Sequence, residues 1–304
     1  MQTTSHILMV RPTAFGFNPE TAVNNLFQVA DADTNINEKA QIEFDNFVQV
    51  LRSAGVHVVV VEDRMEPPTP DSVFPNNWVS FHADGTIVLY PMFAVNRRWE
   101  RDKEVLAKLE KMFVHRSVFD LTHYEADEKF LEGTGSMILD REAKIVYACL
   151  SPRTDREVLN IFCEKLAYRP VVFTAVDSGG TAIYHTNVMM CVADSYVVIC
   201  LESIIDEKER EQVVKEITQS GKQIIPISLQ QVHHFAGNML QVQNQQAERY
   251  LVMSSQAYRS LTKEQVKQLE QYNPILHAPL DAIEQNGGGS ARCMLAEIFL
   301  PEKS

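Results

Sequence analysis

Of the five cysteines in the sequence, one is set apart by its neighbours. Cys149, Cys191 and Cys200 lie inside apolar, strand-like runs and Cys163 in a helical stretch, where a thiol behaves as a small buried hydrophobe. Cys293 instead follows Gly287-Gly288-Gly289-Ser290-Ala291-Arg292, a flexible and polar approach. A thiolate attacks an electrophilic carbon when a nearby imidazole moves protons and helps hold the sulfur ionised. A carboxylate can then orient the imidazole or a nitrogen of the substrate. His185, in His185-Thr186-Asn187, and Glu132, before Gly133-Thr134-Gly135, are the candidates for those two parts. Each alone has a bland reading, as a satisfied structural histidine and a surface carboxylate. His233-His234 are adjacent rather than at metal-ligand spacing, no His-Glu-x-x-His occurs, and the cysteines do not cluster. A metal or other cofactor is therefore not expected. Gly133 and Gly135 do not complete a dinucleotide fingerprint.

What joins the three residues is their place in a repeat. Trp78–Phe81 and Thr86–Tyr90 read as a hairpin about Asp84-Gly85, followed by a helix over Glu100–Met112 and a strand over Arg116–Phe119. Met137–Asp140 and Lys144–Leu150, a helix over Asp155–Ala167 and the strand Val171–Thr174 form a second unit. The third has Val188–Val192, Tyr196–Leu201, Glu207–Thr218 and Gln223–Ile227, with Gly221 where a helix-ending glycine belongs. The fourth has Met239–Val242, Tyr250–Met253, Lys263–Gln271 and Ile275–Ala278. The fifth is split: Cys293–Phe299 pairs with Ile7–Val10, followed by the helix Ala40–Leu51 and the strand Val56–Val61. Ala40, Phe44, Phe47, Val48 and Leu51 fall on one helical face. The expected fold is thus an α/β propeller of five ββαβ units, each of roughly fifty to sixty residues, closed by pairing of the N- and C-terminal strands. An open α/β domain with mixed strands is the competing reading.

In such a ring the residues just before each first strand converge on one mouth. They are Asn76-Asn77, Glu132, His185 with Asn187, Gly237-Asn238, and Cys293 at the last strand. No linker or low-complexity stretch divides the chain, and Pro67-Pro68-Thr69-Pro70 reads as a stiff loop, so residues 1–304 are expected to form one domain. The formal net charge of -12 argues against a nucleic-acid partner, because phosphate binding needs clustered Lys and Arg. No apolar run is long enough to span a bilayer, and Met1–His6 carry no basic region leading into an apolar one. The expected compartment is the cytoplasm.

The combination of segments resembles the guanidino-group-modifying superfamily of arginine deiminases, dimethylarginine dimethylaminohydrolases and amidinotransferases, whose fold is the five-unit propeller called a pentein. Four segments carry the likeness: Asp71-Ser72-Val73-Phe74-Pro75-Asn76-Asn77, Phe130–Gly135, His185-Thr186-Asn187 and Gly287–Met294. The resemblance implies Cys293 as nucleophile, His185 as general acid/base and Glu132 as the acid beside it. It also implies Asp71 on the substrate's α-amine, with Arg97 and Arg153 on its carboxylate. The chain departs where arginine-processing relatives place an acid against the guanidinium, since Asn76 and Asn77 stand there, and Asn187 stands where many have an aspartate. A guanidinium favours carboxylates, whereas a neutral ureido group offers a carbonyl and N–H groups that amides can match. The sequence is therefore closest to the citrulline-utilising, amidinotransferase-like hydrolase branch, with a small amino acid as its partner and a homodimer compatible with the fold. Arginine deimination or amidino transfer is the alternative, and a non-catalytic binder on the same propeller is a third.

Overall fold

A computed structural model describes residues 1–25, 27–29 and 35–303. In chain order its main elements are β1 (His6–Arg11), α1 (Ile36–Ser53), β2 (His57–Glu62), β3 (Val79–Phe81), β4 (Thr86–Leu89), α2 (Lys103–Leu109) and β5 (Ser117–Asp120). They continue with β6 (Ile138–Asp140), β7 (Ile145–Cys149), α3 (Arg156–Leu166), β8 (Arg169–Phe173), β9 (Met190–Val192), β10 (Tyr196–Ile199), α4 (Glu207–Gln219) and β11 (Gln223–Pro226). The last are β12 (Leu240–Gln243), β13 (Arg249–Ser254), α5 (Lys263–Glu270), β14 (Ile275–Ala278) and β15 (Ala296–Glu297). These strands make five sheets of three, β3-β4-β5, β6-β7-β8, β9-β10-β11, β12-β13-β14 and β15-β1-β2. In every sheet the first strand runs antiparallel to the second, and the second is parallel to the third across a helical crossover. The expected ββαβ repeat is present, and the split unit is joined by Leu8 opposite Ala296 and Ile7 opposite Glu297.

The helices form where local chemistry supports them. The five residues expected on one face of α1, Ala40, Phe44, Phe47, Val48 and Leu51, are all buried, and Asp155 caps α3 by accepting from the Glu157 and Val158 amides. Gly221, just past α4, has a φ of +80°, the left-handed backbone that ends a helix at little cost to glycine.

Two of the boundaries that differ from expectation do so for one reason. The helix expected from Glu100 begins only at Lys103, because Asn96–Glu100 form a separate tight turn and Asp102 caps α2. The strand expected from Cys293 is reduced to Ala296–Glu297, because Ala291–Met294 form a tight turn. Corresponding turns at Pro75–Asn77, Gly133–Ser136 and Thr186–Val188 precede β3, β6 and β9. Side chains on a tight turn can all point to one side, which a pleated strand forbids.

No sheet owns a core of its own. One apolar cluster joins Val88 and Tyr90 of the first unit to Met137 and Val146 of the second. A larger one runs from Tyr147 through Val198 to Leu251, across the second, third and fourth units. A third links Val242 and Val252 to Ile7 and Phe44, and a fourth links Leu8 and Ala296 to Trp78 and Phe81. The clusters therefore follow one another around the ring. No described helix is long and apolar enough to cross a membrane.

Candidate active site

The turns before the first strands deliver their polar side chains to one pocket. Its walls include Asp71, Asn77, Arg97, Arg153, His185 and Cys293. Gly287, Gly288 and Gly289 form another wall, where Phe74 lies so close that a Cβ at 287 or 289 would stand 2.8 or 2.9 Å from its ring. Cys293 is 3% exposed, and its sulfur accepts from Asn187 Nδ2 and Asn238 Nδ2, both at 3.3 Å. Two amide donors aimed at one sulfur suit an atom that carries negative charge. The other four thiols are buried in the cores, where desolvation pushes Cys149 up to about 11 and Cys163 and Cys191 up to about 12.

His185 meets Glu132 at 2.8 Å through Nε2. Burial is the largest influence on the imidazole and brings it down to about 4, although Glu132 pulls the other way. Burial likewise opposes charge on Glu132, but Arg153, the His185 bond and Arg97 outweigh it and hold the carboxyl below its ordinary range. At neutral pH the pair is therefore an ionised carboxylate and a neutral ring. An ionised carboxylate only accepts, so Nε2 carries the hydrogen and Nδ1 is left as the basic nitrogen. Glu132 also accepts from the Phe93 amide at 3.0 Å and from Arg153 Nη1 at 3.5 Å, which fixes both oxygens.

Each of the two arginines on the pocket wall, Arg97 and Arg153, has nearly all its hydrogens committed. Arg97 makes a fork on Glu100, with Nε and Nη2 at 2.8 and 2.9 Å from the two carboxylate oxygens. Its Nη2 also reaches the Asp71 and Phe74 carbonyls, and its Nη1 donates to Asn77 Oδ1 at 2.9 Å. Arg153 donates to Asn24 and the Thr21 carbonyl as well as to Glu132. Of the five N–H groups on each guanidinium, one on Nη1 is left over. Arg98 turns away to the Met92 and Phe93 carbonyls. Burial pushes Glu100 up to about 7 against the pull of Arg97.

The amides divide by what holds them. Because Asn77 Oδ1 faces Arg97, its Nδ2 is the end turned elsewhere, and this buried atom has no partner. Asp71 shows the same half-use: Oδ2 accepts from Asn18 and Thr21, while Oδ1 is buried and unpartnered. Asn76 is not on the pocket wall. Its side chain donates to Thr134 Oγ1 at 3.2 Å, tying the first unit's turn to the second's.

The structure thus brings Cys293, His185, Glu132, Asp71, Asn77, Asn187, Arg97 and Arg153 together and sets Asn76 behind them. Sequence reasoning passed over Asn238 as a contact of the sulfur, although the repeat marks its position. It also missed Glu100, whose signal is the three-residue spacing from Arg97, and the Asn18–Asn25 segment that covers the pocket through Thr21, Asn24 and Asn25. Asn18 before Pro19 is the sequence sign of the short helix there. Among the described residues no group of three or more His, Cys, Asp or Glu is arranged to hold a metal.

Comparison with known structures gives the same architecture. The arginine dihydrolase ArgZ, from the ornithine-ammonia cycle in cyanobacteria, superposes with a TM-score of 0.75 at 20% identity, over 97% of this chain and 41% of ArgZ. Its N-terminal domain alone, bound to substrate, gives 0.74 at 19% identity over 97% and 98% of the two chains. AgrE in complex with L-arginine gives 0.73 at 17% identity, over 98% of this chain and 41% of AgrE. A dimethylarginine dimethylaminohydrolase adduct with S-methyl-L-thiocitrulline gives 0.65 at 14% identity, over 98% and 100%. This chain therefore spans less than half of full-length ArgZ and AgrE, and at such identities the likeness speaks for the fold. No curated protein matches the sequence. Residues 11–300 match the model of a family described as N,N dimethylarginine dimethylhydrolase, eukaryotic. The chain belongs to that family, and with it to the guanidino-group-modifying penteins.

Proposed function

We propose that this protein is a cysteine hydrolase acting on the ureido carbon of citrulline or a related amino acid, giving ornithine, ammonia and carbon dioxide. The observation that carries the ureido assignment is the orientation of Asn77. Arg97 holds its oxygen, so a buried N–H donor without a partner is what this amide has left to offer. A ureido carbonyl accepts such a hydrogen, whereas a guanidinium has only hydrogens of its own to present.

In this reading Asp71 Oδ1 takes the substrate's α-ammonium, and the spare Nη1 hydrogens of Arg97 and Arg153 meet its carboxylate. The Cys293 thiol passes its proton to His185 Nδ1, and the thiolate, supported by Asn187 and Asn238, bonds to the ureido carbon. His185 returns the proton to the departing nitrogen, the C–N bond breaks, and a thiocarbamate on Cys293 remains. Water, deprotonated by His185, then cleaves the C–S bond. The carbamate released loses carbon dioxide and leaves the second amine. Either nitrogen can leave first in this scheme with the same final products. Glu132 keeps His185 in the required tautomer and balances its charge while it is protonated.

A second reading, in which the same groups begin on arginine, is favoured by the family match and by neighbours named for arginine. Citrulline and arginine offered side by side to the purified protein, with ornithine and ammonia measured, separate the two. Citrulline is expected to lead by at least about tenfold in kcat/KM, a difference of about 1.4 kcal/mol. Asn77→Asp replaces the donor by an oxygen in the same place, and is expected to lower citrulline turnover and improve arginine binding. A wild-type preference for arginine, or an unchanged ratio in that variant, overturns the ureido assignment in favour of the guanidino one. Near-normal turnover by Cys293→Ser would remove both.

A further inference from the structure

At the other end of the ring from Cys293 lies a cavity of about 230 Å³, walled by His82, Asp84, Arg141, Lys144, Tyr168 and Phe299 among others. Its place follows from the topology. Asp84 is in the turn joining β3 to β4, Arg141 and Lys144 are in the turn joining β6 to β7, and Phe299 lies beyond β15. These are the far ends of the first strands whose near ends carry the catalytic candidates.

The charge there does not balance. The Arg141 side chain is only 7% exposed, and its Nε is buried without a partner. The carboxylate nearest to it, Glu297, is 3.8 Å away and belongs more closely to Arg292, at 2.9 Å from the same oxygen. One carboxylate thus serves two guanidinium groups. Asp140, next in sequence, is paired with Lys222 at 2.9 Å. Asp84 is bound into its own turn by the Thr86 amide. Lys144 adds a second cation, its Nζ 4.5 Å from the centre of the Tyr168 ring, and the guanidinium carbon of Arg141 stands over the Phe299 ring, 3.9 Å from its centre. His82 is kept neutral, first by burial and then by these two cations. A buried guanidinium short of acceptors is costly, and the deficit is removed by an anion that supplies them. The planar fork of Arg141, fixed in place by Phe299, is suited to two oxygens of one group.

We propose that this cavity is a binding site for a small molecule bearing a carboxylate or phosphate, held between Arg141 and Lys144 and separate from the catalytic pocket. Its size suits a ligand of a few heavy atoms rather than a nucleotide.

Calorimetric titration of the full chain with inorganic phosphate and, separately, with acetate tests this. Saturable binding of at least one is expected, weakened at least about tenfold in Arg141→Met and in Lys144→Asn, as loss of one charge-assisted contact predicts. The second variant guards against misfolding of the first: Lys144 is exposed with a φ of +55°, a conformation that asparagine tolerates. The tighter ligand of the two then names the source, phosphorylated or carboxylic. The proposal is overturned if neither anion binds saturably, or if Lys144→Asn binds as the wild type does. Because Arg141 and Lys144 lie outside that pocket, citrulline turnover by Lys144→Asn reports independently on the function proposed above.

Discussion

A buried neutral histidine next to a buried carboxylate sets how the protein responds to acid. The unfolded imidazole takes up a proton near pH 6.5, whereas the folded His185 refuses it until about pH 4. Between those values the unfolded state binds more protons, so stability falls as pH falls through the window. The loss attributable to His185 is about 3 kcal/mol by pH 4, at about 1.4 kcal/mol per pH unit. Glu100 and Glu284 act in the opposite sense, because burial raises each carboxyl to about 7, and protonation on the way down to their ordinary range relieves the folded state. Urea unfolding of wild type and His185→Gln between pH 4 and 7 isolates the histidine: the difference between them should shrink in wild type's disfavour as pH drops. A pH-independent difference would mean that His185 is not held neutral. The convergence of Cys293, His185 and Glu132 was legible because chemical type and place in the repeat agreed. Glu100 and Asn238 were not legible as partners, since what an amide or carboxylate does depends on what faces it. The asparagine that faces the pocket could not be told from its neighbour, because Asn76 and Asn77 differ only in the direction the turn gives them.

The tight turns before the first strands explain both why the pocket exists and why strand limits read from apolar runs came out a residue or two long. In the turn after Glu132 the two glycines have different duties. Gly133 has a φ of +47°, and a Cβ there would stand 2.2 Å from the Asn76 carbonyl oxygen. Gly133→Ala therefore strains its own backbone and forces two units apart, which should destabilise the protein by about 2 kcal/mol or more. A Cβ on Gly135 meets side chains instead, 2.5 Å from Asn77 Nδ2 and 2.8 Å from the His185 ring. Gly135→Ala should consequently cost less stability than Gly133→Ala while lowering kcat/KM for the proposed citrulline reaction by about a hundredfold, the effect of shifting reacting groups by tenths of an ångström to an ångström. Denaturation and steady-state rates on the two variants distinguish these duties, and equal losses of stability would contradict the assignment. Helix and strand order was legible because periodicity and turn residues agreed with the tertiary arrangement. The break before α2 was legible only in part: Asp102 is a local cap signal, whereas the turn at Asn96–Glu100 goes with Arg97 reaching the pocket.

At the scale of the whole molecule, the apolar clusters that each bridge neighbouring units are the ground on which we propose that the chain behaves as one domain. Fluorescence of Trp78, buried in the first unit, and far-UV circular dichroism should then lose signal at the same urea concentration. Leu8→Ala, in the cluster that joins the fifth unit to the first, should move both transitions together by about 2–5 kcal/mol. Separate midpoints would mean that part of the ring stands alone. Closure was legible as a pattern, since only the two ends of the chain lacked a complete unit. The shared cores were not, because apolar alternation along a strand shows that a face is covered without showing by what.

The distribution of the catalytic candidates over the units has a consequence for how the protein comes into being. Glu132 emerges from the ribosome with the second unit and His185 and Asn187 with the third, whereas Cys293 follows more than a hundred residues after His185 and reaches its partners when β15 lies down beside β1. A partly made chain lacks the sulfur, and because each apolar cluster is shared between neighbouring units its early turns also lack the neighbours that fix them. The pocket, walled by Gly287, Gly288 and Gly289 as well as by Cys293, is therefore an all-or-none feature of the closed ring, present once β15 has paired with β1 and not assembled one residue at a time.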